Sequence, residues 1–332
     1  MGCEPIFNAR HHMYDPETHV QVRVISSRSL AVDLTTGLPR KKKRQNPESE
    51  KKQGGFFEKV YRNIKSRFGR RASTGTGCII HVHGGGFVAM SSGSHQNYTR
   101  MWANDVGVPI ISVDYRLAPQ YQFPCALNDV WQVYYWVVMY GEACLGLNTD
   151  KVILVGDSAG GNLVAAVTAM AIERNFRVPD GLVMCYPALS LDKYRFSPSF
   201  LLGIDDPILP YPFLKMCIES YVGDNQESSF CCPSKCQYIS PVLVKDEVLS
   251  RFPTTRIMVA QNDPLRDESF RFTLRMAKLG LDVFLKEYMY MPHGYLNYNA
   301  PLLGMKEESN EAINQCARWL NDFLYERAED LE

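Results

Sequence analysis

Residues 151–170 decide the fold of this chain and read KVILVGDSAGGNLVAAVTAM. The run from Lys151 to Val155 is short, apolar and rich in β-branched residues, which predicts a buried parallel strand. Alanine, valine and leucine residues follow at helical spacing, with Leu163 and Val167 on one face. The stretch therefore predicts a strand, a tight glycine-rich turn and a helix.

The turn carries the pattern G-x-S-x-G from Gly156 to Gly160, with Ser158 at its centre. In a nucleophile elbow such a serine lies on a strained turn, and small flanking residues avoid clashes. The turn would expose the serine oxygen to both a base and a substrate. It would also place the backbone N–H of Ala159 at a helix N-terminus, where negative charge is stabilised. The alternative is a glycine-rich turn that only joins a strand to a helix.

Two further polar residues follow predicted strands as Ser158 does. Asp263 comes after the predicted strand 256–260, and His293 comes after the predicted strand 282–290. Open α/β sheets place their sites at the carboxyl edge of the strands, and the order Ser, Asp, His is that of α/β-hydrolases. We therefore predict that Ser158 attacks an ester carbonyl, that His293 is the general base, and that Asp263 orients the imidazole. A structural loop histidine is the alternative for His293.

Other carboxylates compete for the role of the acid. Asp267 and Glu268 lie a few residues after Asp263. Asp263 is preferred because it is the first acidic residue after the predicted strand.

A triple glycine supplies the third part of the predicted site. His83-Gly84-Gly85-Gly86 follows another predicted strand. Glycines let backbone N–H groups approach a ligand, and the predicted oxyanion donors are the N–H groups of Gly85, Gly86 and Ala159. Losing one such donor typically costs roughly 10²–10³ in rate. Alone, a triple glycine could be only a loop.

Predicted strands and helices alternate from Cys78 onward, which indicates the α/β class with a mostly parallel central sheet and helices on both faces. Residues 1–76 are predicted to be an N-terminal arm or cap, and residues 77–326 the catalytic domain. Residues 189–251 are Pro-rich and irregular, which favours an inserted cap. Its aromatic residues favour either an apolar substrate or ordinary core packing; they are Tyr194, Phe196, Phe200, Tyr211 and Phe213.

Residues 40–71 form a basic insertion, with 13 Lys and Arg against 3 Asp and Glu. Within it, residues 56–68 have an amphipathic period with an aromatic face. We expect such a helix either to bind an anionic membrane or lipid-droplet surface or to pack on the catalytic domain. The sequence RRAS ending at Ser73 resembles the recognition pattern of cyclic-AMP-dependent kinase, and a phosphate there would oppose the basic charge. A chance match is the alternative.

The overall composition excludes some classes of partner. Lys plus Arg and Asp plus Glu both total 36, so the net charge is zero and no nucleic-acid partner is predicted.

The 10 cysteines form no regular framework, and no signal-peptide pattern or run of 18 apolar residues is seen, so a cytoplasmic protein with free thiols is expected. Cys231, Cys232 and Cys236 cluster without a C-x-x-C pair or a nearby histidine, so no metal or other cofactor is predicted.

Together these motifs resemble the hormone-sensitive lipase family of α/β-hydrolases. The resemblance runs from about Cys78 to Tyr325. The family's HGGG, DYRLAP, GDSAG, acid and histidine motifs match His83 to Gly86, Asp114 to Pro119, Gly156-Asp157-Ser158-Ala159-Gly160, Asp263 to Asp267, and His293 with Gly294. The matches support the nucleophile, base, acid and oxyanion loop inferred above.

The resemblance implies a serine lipase that hydrolyses diacylglycerol, triacylglycerol or cholesteryl esters at lipid droplets. With the free thiols expected above, we predict an intracellular lipase, and we hypothesise that the basic residues 40–71 with Ser73 provide its contact with a droplet or membrane surface. A small-molecule carboxylesterase or an amide-cleaving deacetylase of the same family is the first alternative, and acyl-pocket size would separate the two. The second is a non-catalytic ligand receptor. Plant gibberellin receptors resemble this family but lack the catalytic histidine, whereas His293 is present here.

Overall fold

The computed structural model describes most of the chain from the HGGG strand onward. The described residues are 19–27, 32–33, 38–39, 76–192, 194, 196–223, 232–299 and 305–325. The predicted basic insertion at residues 40–71, its helix at 56–68 and the predicted phosphosite Ser73 lie outside them. Surface binding and phosphorylation there stay predictions, as does the boundary between residues 1–76 and 77–326.

One sheet organises the described residues. The strands of the described residues are β1 (Gln21–Ile25), β2 (Val32–Asp33), β3 (Leu38–Pro39), β4 (Gly77–Val82), β5 (Ile110–Asp114), β6 (Lys151–Asp157), β7 (Gly181–Cys185), β8 (Thr255–Asn262) and β9 (Val283–Pro292). Strands β2 and β3 form a separate pair, and the others form the main sheet. The order across the main sheet is β1-β5-β4-β6-β7-β8-β9. Within the described strands of the main sheet, only β1 runs antiparallel to its neighbour, so strands β4 to β9 present their carboxyl ends at one edge.

Helices cover both faces of this sheet. They are α1 (Gln96–Val106), α2 (Cys125–Leu145), α3 (Ala159–Glu173), α4 (Pro198–Leu202), α5 (Tyr211–Val222), α6 (Asp246–Leu249), α7 (Arg266–Lys278) and α8 (Lys306–Tyr325). One hydrophobic cluster joins the sheet to α2, α3 and α7. A second joins its other face to α1 and α8. No helix of the described part is both long and apolar enough to cross a membrane.

The central strand β6 shows why the chain folds this way. Val152 and Leu154 point into the first cluster, whereas Ile153 and Val155 point into the second. All four side chains are fully buried, because helices cover the sheet on both sides. Burying each such side chain stabilises the fold by about 1.5–3 kcal/mol, so a continuous apolar run is needed here. The predicted α/β class and mostly parallel sheet are confirmed.

Two parts of the prediction need correction. Helix α1 was not predicted; its buried residues Tyr98, Trp102 and Val106 recur every four positions among polar ones. The predicted cap at residues 189–251 is also not irregular throughout, because it contains α4, α5 and α6. Prolines at the start of α4 and α5 occupy first-turn positions, where a missing N–H costs nothing, so they start these helices rather than break them.

The cap lies over the carboxyl edge of the sheet. The backbone N–H of Ser199 in α4 donates to Asp267 Oδ2 over 2.9 Å, and Ser199 Oγ donates to the carbonyl of Pro264 over 3.2 Å. In α5, Cys217 packs so closely on Gly86 that a Cβ at Gly86 would lie 2.6 Å from the Cys217 sulfur. The cap therefore contacts the loops that carry both the predicted acid and the predicted oxyanion donors.

Candidate active site

Ser158 lies on a strained turn between β6 and α3. Its backbone angles are φ = 54° and ψ = −117°, a conformation that L-residues rarely adopt. The backbone holds it there, since the N–H of Ser158 donates to the Cys185 carbonyl and its carbonyl accepts from the N–H of Ala188. The turn leaves the Ser158 side chain partly exposed at the carboxyl edge of the sheet.

The glycines of the elbow are required by close backbone approach. A Cβ at Gly160 would lie 1.9 Å from the carbonyl oxygen of Val82, and one at Gly156 would lie 2.4 Å from the carbonyl oxygen of Gly160. Both contacts are with backbone, which cannot rotate away. Any larger residue at these positions would therefore push α3 off the sheet and displace Ser158.

The structure brings Ser158, His293 and Asp263 together in one hydrogen-bonded array. Ser158 Oγ lies 2.8 Å from His293 Nε2, and His293 Nδ1 lies 2.8 Å from Asp263 Oδ2. A carboxylate can only accept, so the imidazole donates its Nδ1–H to Asp263 and presents a bare Nε2 to the serine hydroxyl. The second oxygen of Asp263 accepts the backbone N–H of Leu265 over 2.8 Å, which fixes the carboxylate.

The environment of His293 sets its proton affinity. Burial lowers the pKa of His293, but the Asp263 carboxylate opposes this effect and the net pKa is raised above 6.5. The ring also contacts Tyr186 edge to face, with centroids 5.0 Å apart. The imidazole is thus held in one orientation from two sides.

The two competing carboxylates lie elsewhere. Asp267 accepts from the backbone N–H of Ser199 and pairs with Arg266 at 3.0 Å. Glu268 pairs with Arg271 at 3.1 Å. Neither contacts His293, and the reason is that both belong to the first turn of α7, whereas Asp263 directly follows β8.

The HGGG segment forms a loop beside Ser158. Gly85 and Gly86 have φ of 111° and 60°, angles that favour glycine. His83 donates its Nδ1–H to the carbonyl of Gly84 over 2.7 Å and stacks on Tyr115 with centroids 4.2 Å apart. Burial lowers the pKa of His83 to about 4, so the ring is neutral and acts as a packing element. Ala159, the third predicted donor, begins α3.

One group of buried polar residues was missed. Asp157 lies beneath the elbow and contacts His81, His95 and Tyr98, which come from β4, the start of α1 and α1 itself. The sequence signal was present as one histidine in strand β4, His81, and another shortly after the triple glycine, His95, but only the fold brings them to Asp157. In the part of the chain that the structure describes, no group of three or more His, Cys, Asp and Glu side chains is arranged to hold a metal ion.

The fold and site together define a carboxylic ester hydrolase. The alpha/beta hydrolase fold family matches residues 79–297, and the chain belongs to that family. This match includes Ser158, Asp263 and His293.

The relatives are esterases and lipases. Mouse hormone-sensitive lipase is 41% identical over 171 residues, which are 52% of this chain and 22% of the mouse protein. Esterase LipI of Mycobacterium tuberculosis is 28% identical over 235 residues, 71% of this chain and 70% of that protein. Among solved structures, the hyperthermophilic esterase of the archaeon Pyrobaculum calidifontis has a TM-score of 0.67 and 30% identity, covering 76% of this chain and 78% of that chain. This chain therefore spans less than a quarter of the mouse lipase it resembles.

Proposed function

We propose that this protein is an intracellular lipase that hydrolyses diacylglycerol, triacylglycerol or cholesteryl esters. The observation that carries the proposal is the 41% identity with mouse hormone-sensitive lipase over half of the chain. That degree of identity is higher than the identity to the bacterial and archaeal esterases named above. The lipid substrate is inferred from this likeness and is tested by the experiments below.

The proposed chemistry uses the array described above. Ser158 Oγ attacks the acyl carbonyl while His293 Nε2 takes its proton, and Asp263 stabilises the resulting imidazolium. The N–H groups of Gly85, Gly86 and Ala159 would stabilise the oxyanion of the tetrahedral intermediate. His293 then protonates the departing alcohol, which leaves an acyl-enzyme on Ser158. Water, deprotonated by His293, releases the acid and restores the serine.

The surface of the cap supports an apolar substrate. Exposed apolar side chains are concentrated on and between its helices; they are Phe196, Leu201, Leu202, Ile204, Ile208, Phe213 and Met216. Leu202 is 90% exposed. Since soluble proteins rarely leave apolar side chains so grouped, the pattern favours contact with lipid. The charged residues among the described positions 196–223 are Lys215, Asp205, Asp206 and Glu219, so this surface suits an uncharged lipid better than an anionic one.

A graded acyl series tests the proposal. The purified protein is assayed on esters from p-nitrophenyl acetate to emulsified dioleoylglycerol, with the released acid quantified. Hydrolysis of long-chain diacylglycerol at a rate comparable to that of short esters supports the lipase. Turnover of short soluble esters alone would contradict it, and no turnover of any ester would favour the receptor alternative.

The alternative function, a small-molecule carboxylesterase or deacetylase, is favoured by one observation. The match to Esterase LipI of Mycobacterium tuberculosis covers 70% of that protein, whereas the match to mouse hormone-sensitive lipase covers 22% of the lipase. This chain therefore corresponds to a larger share of the esterase than of the lipase.

We expect ester hydrolysis to rise with pH through a pKa above 6.5. His293 accepts the proton of Ser158 only when its imidazole is neutral, and the Asp263 carboxylate raises the pKa of that imidazole despite its burial. The rate is therefore lost as pH falls through the raised pKa. The measurement is kcat/KM for ethyl butyrate over about pH 5 to 9, with butyrate quantified by chromatography. A profile that is flat down to about pH 5 would show that His293 is not the base.

We expect Leu202→Glu to lower activity on emulsified diacylglycerol by about tenfold or more while leaving a soluble short ester within about twofold. Burial of a leucine in lipid contributes about 1.5–3 kcal/mol, and 1.4 kcal/mol corresponds to tenfold. Because Leu202 is 90% exposed, the change removes little packing. The matched control is Leu274→Glu, which replaces a leucine that is 56% exposed on α7. Equal losses in the two variants would show that the cap surface does not meet the lipid.

A further inference from the structure

A buried carboxylate joins the elbow to the oxyanion loop. Asp157 directly precedes Ser158 and is 3% exposed. Its Oδ1 accepts the backbone N–H of Gly84 over 3.0 Å and the hydroxyl of Tyr98 over 2.9 Å. Its Oδ2 faces His95 Nε2 at 3.4 Å. The bond to Gly84 is a direct link between the strand that ends in the nucleophile and the loop of predicted oxyanion donors.

The surroundings of His95 favour a charged ring. His95 Nδ1 lies 3.0 Å from the backbone carbonyl of Ser91 and 2.9 Å from Ser94 Oγ, and Nε2 lies 3.4 Å from Asp157 Oδ2. The Ser94 hydroxyl donates its proton to the Ser91 carbonyl over 2.7 Å, so the Ser94 oxygen presents lone pairs to Nδ1. Acceptors therefore face both ring nitrogens, and a neutral imidazole has only one N–H. An imidazolium suits this buried site best, so His95 and Asp157 form an ion pair.

The neighbouring titratable groups are neutral. His81 Nε2 lies 3.8 Å from Asp157 Oδ1, and burial lowers the pKa of His81. Burial likewise lowers the pKa of His83 to about 4, and the ring centroids of His83 and His95 lie 5.6 Å apart. Burial raises the pKa of the Tyr98 hydroxyl well above 10. One cation therefore faces one anion, which is the condition for burying charge at modest cost.

We propose that the His95–Asp157 ion pair positions the oxyanion loop, with Asp157 holding the N–H of Gly84 and His95 keeping that carboxylate charged. Gly84 directly precedes Gly85 and Gly86, so a shift at Gly84 moves both predicted donors. Misplaced donors reduce the stabilisation of the transition state more than they reduce the binding of the substrate. This inference rests on the proposed roles of Ser158 and of the oxyanion donors.

The pair exists only within a window of pH. Burial lowers the pKa of His95, but the Asp157 carboxylate overrides this effect and raises it above 6.5. The contribution of the pair is therefore complete below about pH 6.5 and is lost as pH rises through the raised value. Burial opposes ionisation of Asp157, yet the nearby histidines lower its pKa well below 3.8, so the carboxylate stays charged across the working range. We expect an alkaline limb in kcat that belongs to His95.

The first test is direct observation of the imidazolium. The intact protein, labelled with ¹⁵N at its 7 histidines, is examined by long-range ¹H–¹⁵N NMR, and His95 is assigned from its missing signals in His95→Gln. The proposal requires both ring nitrogens of His95 to carry protons at a pH above 6.5, where a free histidine is mostly neutral. A neutral His95 ring there would overturn it.

The second test is kinetic and uses Asp157→Asn, His95→Gln and the double variant on p-nitrophenyl butyrate. We expect each single change to lower kcat about 10- to 100-fold with KM within about twofold, less than the loss of a whole donor. The double variant should be no slower than the slower single variant, because either single change already breaks the same ion pair. His95→Gln should also lose the alkaline limb of kcat.

The control is a second ion pair with a buried carboxylate, broken by Arg116→Gln, in which Arg116 and Asp129 are 2.7 Å apart. It should lower the melting temperature and leave kcat within about twofold. If Asp157→Asn and His95→Gln behave like this control, the pair is structural only and the proposal fails. If the wild-type protein turns over no ester, the proposed function fails instead, and the NMR result still decides the ion pair.

Discussion

Replacing Ser158 with alanine is expected to lower kcat for ester hydrolysis by a factor on the order of 10⁶. Ser158 Oγ is the hydroxyl that lies 2.8 Å from His293 Nε2, so its removal leaves no atom to carry the acyl group. The change deletes one oxygen from a partly exposed side chain, and the backbone bonds that hold the turn remain. The melting temperature should therefore change little.

The measurement is the initial rate on p-nitrophenyl butyrate, with a thermal melt of each protein. The matched control is Ser250→Ala at the end of α6, where the hydroxyl bonds only to the backbone carbonyl of Glu247 at the surface. It should keep the wild-type rate. A Ser158→Ala protein that retains more than about one per cent of the rate would exclude Ser158 as the nucleophile.

Replacing Asp263 with asparagine is expected to lower kcat about 10⁴-fold, while Asp267→Asn should leave it within about tenfold. An asparagine at 263 can donate to His293 Nδ1, which stabilises the wrong tautomer and puts a proton on Nε2, where the serine needs a base. Asp267 instead accepts the N–H of Ser199 and pairs with Arg266. Its loss should cost about 1 kcal/mol of stability rather than the chemistry.

This pair of variants decides the identity of the acid. Both proteins are assayed on the same soluble ester at one pH above 7, and their unfolding is followed in urea. A large kcat loss in Asp267→Asn with Asp263→Asn nearly unaffected would reverse the assignment. Equal small losses in both would mean that His293 is oriented by its packing against Tyr186 instead.

The central strand, the elbow turn and the alternation of strands and helices could all be read from the sequence. Buried parallel strands need apolar side chains on both faces, and the unbroken apolar run from Val152 to Val155 therefore predicts such a strand. The cap helices α4 and α5 were missed because short helices with first-turn prolines look irregular in sequence. Helix α1 was missed because its buried residues are separated by polar ones.

Within the site, the sequence determined which residues stand at the ends of parallel strands. Ser158, Asp263 and His293 directly follow β6, β8 and β9, and parallel strands bring such positions to one edge. Side-chain direction decided the rest. Asp267 is only four residues from Asp263, yet it points to the cap, because it belongs to a helix that starts beyond the strand.

By itself, then, the sequence determined the fold class, the elbow and the three residues proposed to carry the reaction, because local patterns and strand ends specify them. Only the tertiary structure decided the closure of the cap over Gly86 and the pairing of His95 with Asp157. Those contacts join segments that are about 60 to 130 residues apart in the chain, and their polar groups are satisfied only when the sheet, α1 and the cap come together. No local pattern records which distant groups will meet, because burial, not spacing, forces them to pair.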